Sequence, residues 1–241
     1  MRVIQAGNPS LLTGPTGNNT YLLPGRVPAL VDAGVGNASH LDQVEAALGG
    51  SPLSVVLITH EHSDHAGGLA AIAQRWPSVH VVRFTGEIER EPSPAGDGFL
   101  RAIHTPGHAR EHLCFHDESS GDLYCGDLVR EGGTIVIPAS RGGNLRQYLD
   151  SLRRVRGLSP RRLLPGHGPI IDDPASIIDR YLLHRAGREA QIIEALRDGL
   201  TTPESIAARL YGKLPEAIAV AAADTVQAHL VKLTDEGRGQ G

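Results

Sequence analysis

One short segment constrains the fold of this chain more than any other. The largely apolar run Leu53–Ile58 is followed at once by the sequence THEHSDH, which puts three histidines and two acids into six residues. A rigid strand that ends in a loop is the usual way to present such a group. His60 and His62 are two residues apart, so an extended segment points both the same way. Asp64 and His65 follow where the chain turns, which predicts a site with nitrogen and oxygen donors for zinc.

Three later segments repeat the order of a strand, a tight turn and a candidate ligand. HTPGH ends at His108, CGD ends at Asp127, and PGHG contains His167. Pro-Gly gives a tight turn that fixes the direction of the next side chain. The two oxygens of Asp127 can bridge two cations. Each segment is a weak signal alone, but together they predict one metal site assembled from strand ends.

These four segments match, in order, the metal motifs of the metallo-β-lactamase superfamily, which the chain resembles over about residues 1–175. The resemblance implies an α/β fold, a four-layer αββα sandwich with its site along one edge of two packed sheets. It also implies two Zn²⁺ ions, although Mn²⁺ or iron suits the same donors. The ligand set that it implies is His60, His62 and His108 for the first ion, Asp64, His65 and His167 for the second, and Asp127 as the bridge between them.

The motifs also indicate which branch of the superfamily the chain resembles. The motif has His62 where diiron flavoproteins have glutamate, and it keeps Asp127, which antibiotic-cleaving members lack. The site therefore resembles glyoxalase II, the lactonases and the β-lactamase-like protein 2 branch. Further stretches similar to that last branch are GNNTY from Gly17, HAREH from His108, the glycine-rich Arg130–Gly143 segment, and HR at His184 with REAQ from Arg188.

Hydrophobic periodicity predicts the elements of the first domain. Helices are expected at Ser39–Leu48, Gly67–Arg75 and Asn144–Arg156, the last with Asn144 as its N-cap. Strands are expected at Tyr21–Leu23, Ala29–Val31, Val55–Ile58, Val79–Arg83, Leu113–His116, Leu123–Cys125 and Arg162–Leu164.

After about Asp173 the composition becomes helix-rich, so we predict a metallo-β-lactamase domain over 1–175 and a small helical, winged-helix-like domain over 176–241. Its β-wing is expected to be short or missing. From Ala186 on, six basic side chains stand against eight acidic ones, the wrong sign for binding phosphates. We therefore expect this domain to pack over the metal site and shape substrate entry. The helices are predicted at Ala175–Asp198, Pro203–Leu210 and Pro215–Thr234.

The composition bounds partners and compartment. The 241 residues carry a net charge of −4 and two cysteines, and they contain no apolar run of the ~20 residues that span a bilayer. We expect a cytoplasmic protein with no membrane partner. The sequence leaves the oligomeric state open.

The resemblance predicts a zinc-dependent hydrolase in which a bridging hydroxide on the binuclear centre cleaves an ester, thioester or lactone bond of a small-molecule substrate. Asp64 is the expected catalytic residue, which orients the hydroxide and relays its proton. Three alternatives stay open: a metal-dependent endoribonuclease acting on single-stranded RNA, a weak or promiscuous β-lactam hydrolase, and a DNA-binding regulator whose metal domain senses a ligand.

Four further side chains outside the ligand set are candidates for a role at the site. Asn19 and His112 are candidates to contact the substrate, or they cap a turn and complete a loop. His104 is expected to support His108 from behind. Cys125 is a weaker candidate for zinc, because the nitrogen and oxygen set is complete without a thiolate.

Overall fold

Two sheets face each other, and each is formed by one half of the first 165 residues. The structure, a computed structural model, describes residues 1–86 and 91–238. Within these residues the first sheet has the order β1-β2-β3-β4-β5 and the second has the order β10-β9-β8-β7-β6. The strands are β1 (Arg2–Gln5), β2 (Asn19–Leu23), β3 (Ala29–Val31), β4 (Val55–Leu57), β5 (His80–Val82), β6 (Ser93–Ala95), β7 (Gly98–His104), β8 (Leu113–Asp117), β9 (Asp122–Gly126) and β10 (Arg162–Pro165).

Helices cover the outer face of each sheet, which confirms the expected four-layer αββα sandwich. Leu41 and Ile72 pack with Val56 on the first sheet, and Tyr148 and Ile178 pack on the second. The helices are α1 (Ala38–Leu48), α2 (Ser63–Ala66), α3 (Leu69–Arg75), α4 (Leu145–Leu158), α5 (Pro174–Arg197), α6 (Pro203–Tyr211) and α7 (Glu216–Asp235).

The inner faces of the two sheets form the central core. Leu57 of β4 and Phe115 of β8 are both fully buried there, and the rings of Tyr21 and Tyr124 meet edge to face at 5.3 Å. Burying a side chain of this size contributes about 1.5–3 kcal/mol. The contact between sheets therefore fixes how the strand ends of one half lie against those of the other.

Two parallel strand pairs position the candidate site. β3 runs parallel to β4, and β9 runs parallel to β10. The carboxyl ends of parallel neighbours lie at the same edge of a sheet. Asp32 and Thr59 follow β3 and β4, while Asp127 and His167 follow β9 and β10. A backbone bond from Leu113 N to Thr59 O, 2.7 Å long, ties the two edges together.

The last three helices form a smaller core of their own around Ile192, Ile206 and Val226. Thr202 caps α6 by accepting from Ser205 N at 3.2 Å. Between Pro165 and Arg238, where every residue is described, there is no further strand, in line with a missing wing. Helix α5 contributes Ile177 to the core of the second sheet and Ile192 to this smaller core, so one continuous helix joins the two. The boundary at 175 stays a prediction.

The helix expected at Gly67–Arg75 begins later, at Leu69, so its predicted start is wrong. A separate turn of helix, α2, comes first, and the two glycines lie between. A Cβ on Gly68 would lie 2.1 Å from Ala33 O, so the chain needs glycine where it passes β3. The strands β1, β6 and β7 lie outside the runs that the pattern singled out. In β7 the buried Leu100 and Ile103 are three residues apart, which breaks the alternation of a half-buried strand.

Candidate metal centre

The loop after β4 is held from both sides, which gives its histidines fixed directions. Thr59 N donates to Asp32 Oδ1 at 2.8 Å, and Thr59 O accepts from the opposite sheet. His62 occupies the N-cap position of α2, so Asp64 and His65 stand in the first turn of that helix. The turn changes the direction of the chain between the two pairs, as the spacing predicted.

Three imidazoles converge on one point. Nδ1 of His62 lies 3.0 Å from Nε2 of His60 and 2.9 Å from Nε2 of His108. Nδ1 of His108 donates to Val136 O at 2.7 Å. The Nε2 atom of the same ring is then unprotonated and turns its lone pair toward the cluster. Burial and the neighbouring rings lower the pKa of His62 to about 4, and burial also lowers those of His60 and His108. The trio is therefore neutral near pH 7, the form that binds a metal.

A second group lies beside the first. Nε2 of His65 is 3.6 Å from Asp64 Oδ2 and 3.4 Å from Asp127 Oδ1. Nε2 of His167 is 3.5 Å and 3.3 Å from the same two oxygens. The other oxygen of Asp127, Oδ2, is 3.4 Å from Nε2 of His108. Asp127 thus faces both groups, one oxygen toward each.

The charges in the second group are strongly coupled. Burial disfavours a charged imidazole, but Asp127 and the other nearby carboxylates outweigh it and raise the pKa of His167 to about 9 and that of His65 well above its usual value. Burial likewise opposes a charge on Asp64, yet the bond with His167 and the charge of His65 bring its pKa well below the ordinary range. Near pH 7 the carboxylates are therefore ionised and His65 and His167 carry the balancing protons, which a bound cation would have to displace.

The donor atoms fit divalent cations. In the described residues, three overlapping groups each place their ligand atoms within 4.8 Å of one another, and neighbouring groups share His60 or His65. Imidazoles, which are neutral already or release their proton when a metal binds, and ionised carboxylates, without a thiolate, suit zinc and related divalent ions. The groups are His60, His62 and His108; His60, His65 and Asp127; and Asp64, His65 and His167.

Two side chains that the sequence reading missed hold this cluster in place. Asp32 is buried, and its Oδ2 accepts from Nδ1 of His65 at 2.7 Å. The amide of Asn18 contacts Asp64 Oδ2 at 3.2 Å and His65 Nε2 at 3.1 Å. Asp32 directly follows the apolar strand β3, so the rule that found Asp127 would have found it as well. Asn18 lies in the GNNTY stretch, where only its neighbour was singled out.

Asn19 and His112 lie next to the cluster and make structural bonds. The amide of Asn19 donates to Pro165 O and Gly168 O, at 3.1 and 2.8 Å, and so holds the loop that carries His167. His112 bonds Thr105 through Nδ1 at 2.8 Å and accepts from Asp127 N through Nε2 at 3.1 Å. A contact with the substrate stays a prediction for both.

The other candidates have plain structural surroundings. His104 bonds Arg110 O at 2.8 Å and stacks on Phe84, so it fastens the loop that carries His108. Cys125 is fully buried in the hydrophobic cluster beneath α4, and this burial raises its thiol pKa well above the usual value. Gly107 has φ of +135°, and a Cβ there would lie 2.3 Å from the Tyr148 backbone. Only glycine lets α4 approach the loop before His108 this closely.

A four-layer sandwich with histidines and aspartates at the shared edge of its sheets defines the metallo-β-lactamase class of hydrolases. The chain belongs to this class: the model of the Metallo-beta-lactamase superfamily matches residues 13–83 and 84–167. The model of the Beta-lactamase associated winged helix domain matches residues 202–239. The protein is thus a hydrolase of this superfamily with an appended winged-helix domain.

Individual relatives agree with this assignment. The chain is 31% identical to the Beta-lactamase-like protein 2 homolog of Caenorhabditis elegans, over 92% of this chain and 80% of that protein. It is 32% identical to the atrochrysone carboxyl ACP thioesterase of Aspergillus fumigatus, over 85% of this chain and 51% of that protein. The crystal structure of a metallo-beta-lactamase family protein from Thermus thermophilus superposes with a TM-score of 0.78 at 24% identity, covering 98% of this chain and 93% of that one.

In the described residues, no helix is long and apolar enough to cross a bilayer.

Proposed function

We propose that this protein is a zinc-dependent hydrolase that cleaves an ester, thioester or lactone bond in a small molecule. The observation that carries the proposal is the pair of adjoining donor groups, one centred on His62 and the other on His65, with the carboxylate of Asp127 between them at 3.3–3.4 Å. We assign the first zinc to His60, His62 and His108, and the second to Asp64, His65 and His167. Asp127 would contact both.

When bound, two adjacent divalent cations lower the pKa of water toward neutrality and polarise the bond under attack. The protein's own side chains supply direction and proton transfer. The side chain of Asp64 is 26% exposed, against 12% for Asp127, so Asp64 is the carboxylate within reach of a substrate. We assign it the task of orienting the attacking water. We also assign it the transfer of a proton from that water to the leaving group.

The choice of an acyl substrate is supported by the relative named as an ACP thioesterase. RNA is a poorer match to the charged surface. On α4, Arg146, Arg153 and Arg156 pair with acidic side chains at 2.8–3.6 Å, which offsets their charge, and only Arg154, which donates to a backbone carbonyl, has no acidic partner among the described ion pairs of this helix. Because phosphate contacts dominate affinity for nucleic acid, this arrangement disfavours the endoribonuclease alternative.

The test uses the full chain loaded with zinc and four probes: an acyl-pantetheine thioester, a γ-lactone, a labelled single-stranded RNA and a penicillin. We expect kcat/KM for the thioester or the lactone to exceed that for the other two. Asp64→Ala is expected to lower kcat by about 10²-fold or more and to weaken one of the two metals. Asp42→Ala, which removes an exposed carboxylate paired with Arg75, serves as the matched control.

Three results would overturn the proposal. The first is a purified, folded protein that takes up fewer than two equivalents of zinc. The second is turnover confined to RNA. The third is full activity of Asp64→Ala.

A further inference from the structure

The segment 135–140, called here the loop, joins the metal cluster to the C-terminal helices. Within it, Val136 O accepts the Nδ1 proton of His108 at 2.7 Å. This bond fixes both the tautomer and the plane of the imidazole, so that Nε2 faces His62 and Asp127 at 2.9 and 3.4 Å. Any movement of the Val136 carbonyl therefore turns His108 away from the cluster.

The neighbours of Val136 are held by side chains from the C-terminal part of the chain. On one side, the guanidinium of Arg185 on α5 donates to Ile135 O. On the other, Thr225 on α7 accepts from Ile137 N through Oγ1 at 3.2 Å. Three consecutive residues of the loop are thus fastened, the outer two to the C-terminal helices and the central one to a candidate ligand.

A third contact extends this attachment. Asp224, next to Thr225 on α7, accepts from both Ser140 N and Ser140 Oγ, at 2.8 and 2.7 Å. Helix α7 therefore holds the loop at two points.

The contacts made by Arg185 and Thr225 are buried, whereas the contact between Asp224 and Ser140 is exposed. Arg185 is 2% exposed, Ile137 is fully buried, and Thr225 is 7% exposed. A buried backbone group that loses its partner is destabilising, and a loop can relieve this only by moving. The guanidinium of Arg185 also lies 5.4 Å from the ring of Tyr148, whose hydroxyl bonds Leu128 O. The loop is thus anchored to the same core that supports the loop of Asp127.

We propose that Thr225 and Arg185 are positioning residues of the metal centre: they hold the loop around Val136 so that its carbonyl orients His108. The C-terminal domain is then part of the hydrolase site and not only a cover over it. The inference rests on the proposed function, in which His108 is a ligand. Outer partners of ligating histidines typically contribute 10–100-fold to metal affinity.

Thr225→Val tests the idea because it removes the hydroxyl and keeps the shape. The matched control is Thr234→Val on the same helix. Both threonines bond the carbonyl four residues before them at 3.0 Å, to Ala221 and Leu230 respectively, but Thr225 also accepts from the loop. Affinities are measured on the full chain by competition with a colorimetric zinc chelator. The geometry is read from the visible spectrum of the cobalt-substituted protein.

We expect Thr225→Val to bind one of its two metals 10–100-fold more weakly and to change the cobalt spectrum. Thr234→Val should match the wild type in both readouts. Thr225→Ser keeps the hydroxyl and should restore the affinity, which makes the test independent of whether the valine variant folds well. Arg185→Met should act in the same direction as Thr225→Val.

The inference is wrong if Thr225→Val binds both metals as tightly as the wild type with an unchanged spectrum, if Thr234→Val is equally affected, or if Thr225→Ser fails to restore the affinity. Failure of the proposed function has a different signature, since the wild type itself would then bind fewer than two metals or hydrolyse none of the acyl probes.

Discussion

Asp32 should have the largest effect on the metal centre of any residue that does not ligate, and Asp32→Asn is the change that tests it. The carboxylate accepts from His65 Nδ1 through Oδ2 at 2.7 Å, and from Thr59 N through Oδ1 at 2.8 Å. Asparagine has nearly the same shape and tolerates the left-handed backbone of this position, where φ is +62°. The substitution therefore removes charge and one acceptor without adding strain.

The magnitude follows from the bonds that are lost. The amide oxygen of asparagine can still accept from Thr59 N, which leaves the NH₂ group facing His65 Nδ1. A buried hydrogen bond to a charged group contributes about 1.5–3 kcal/mol, so we expect the free energy of unfolding of the metal-free protein to fall by about that amount. The NH₂ group also forces Nδ1 of His65 to accept, which moves the remaining proton to Nε2. A protonated Nε2 cannot ligate, so one metal should bind at least 10–100-fold more weakly.

Urea unfolding of the metal-free protein measures the first effect, and competition with a chelator measures the second. Asp42→Asn is the control, because an exposed ion pair with Arg75 contributes only about 0–1 kcal/mol. The reasoning is refuted if Asp32→Asn keeps wild-type stability together with two tightly bound metals.

Three more predictions concern the scaffold. Gly107→Ala should lower the free energy of unfolding by roughly 3 kcal/mol or more, since its Cβ meets the Tyr148 backbone at 2.3 Å; urea denaturation showing less than 1 kcal/mol would contradict this. Cys114, whose thiol pKa burial raises to about 12, and the buried Cys125 should not react with a disulfide reagent at pH 8 until the protein unfolds, and rapid labelling of the native protein would contradict the burial. Burial lowers the pKa of His229 to about 3, so the unfolded chain binds a proton below pH 6.5 that the native state excludes, and stability falls as the pH decreases toward 3. Between pH 7 and 5 the wild type should therefore lose about 2 kcal/mol more than His229→Leu in urea unfolding, and equal losses would contradict the linkage.

The grouping of the candidate metal donors could be predicted from the sequence because several of them share one local signature, a strand end followed by a turn, and the resemblance to the family implied the full set. That signature fixes His60, Asp127 and His167 without knowledge of any distant contact. It also marks Asp32, but a single carboxylate after a strand is a weak signal beside a cluster of histidines.

The roles of Arg185 and Thr225 could not be found in this way. Each bonds to a loop 50 to 88 residues earlier in the chain. The bond is made to a backbone atom of that loop, so the type of residue in the loop does not reveal it. Hydrophobic periodicity explains why α5 and α7 are helices, but it does not say which loop they touch. The late start of α3 could not be predicted for a similar reason. It depends on the close approach of Gly68 to Ala33 O, and these two residues are far apart in the sequence.

The division of the sandwich into two halves has a consequence for when the proposed metal ions could bind. His60 and His62 belong to the first sheet, whereas His108 and Asp127 belong to the second, so neither half alone contains a closed cage. During synthesis, a nascent chain that has not yet reached Asp127 offers only an incomplete set of donors. On the proposed function, metal loading should accordingly wait until both sheets have docked, and an ion bound there would resist separation of the two halves.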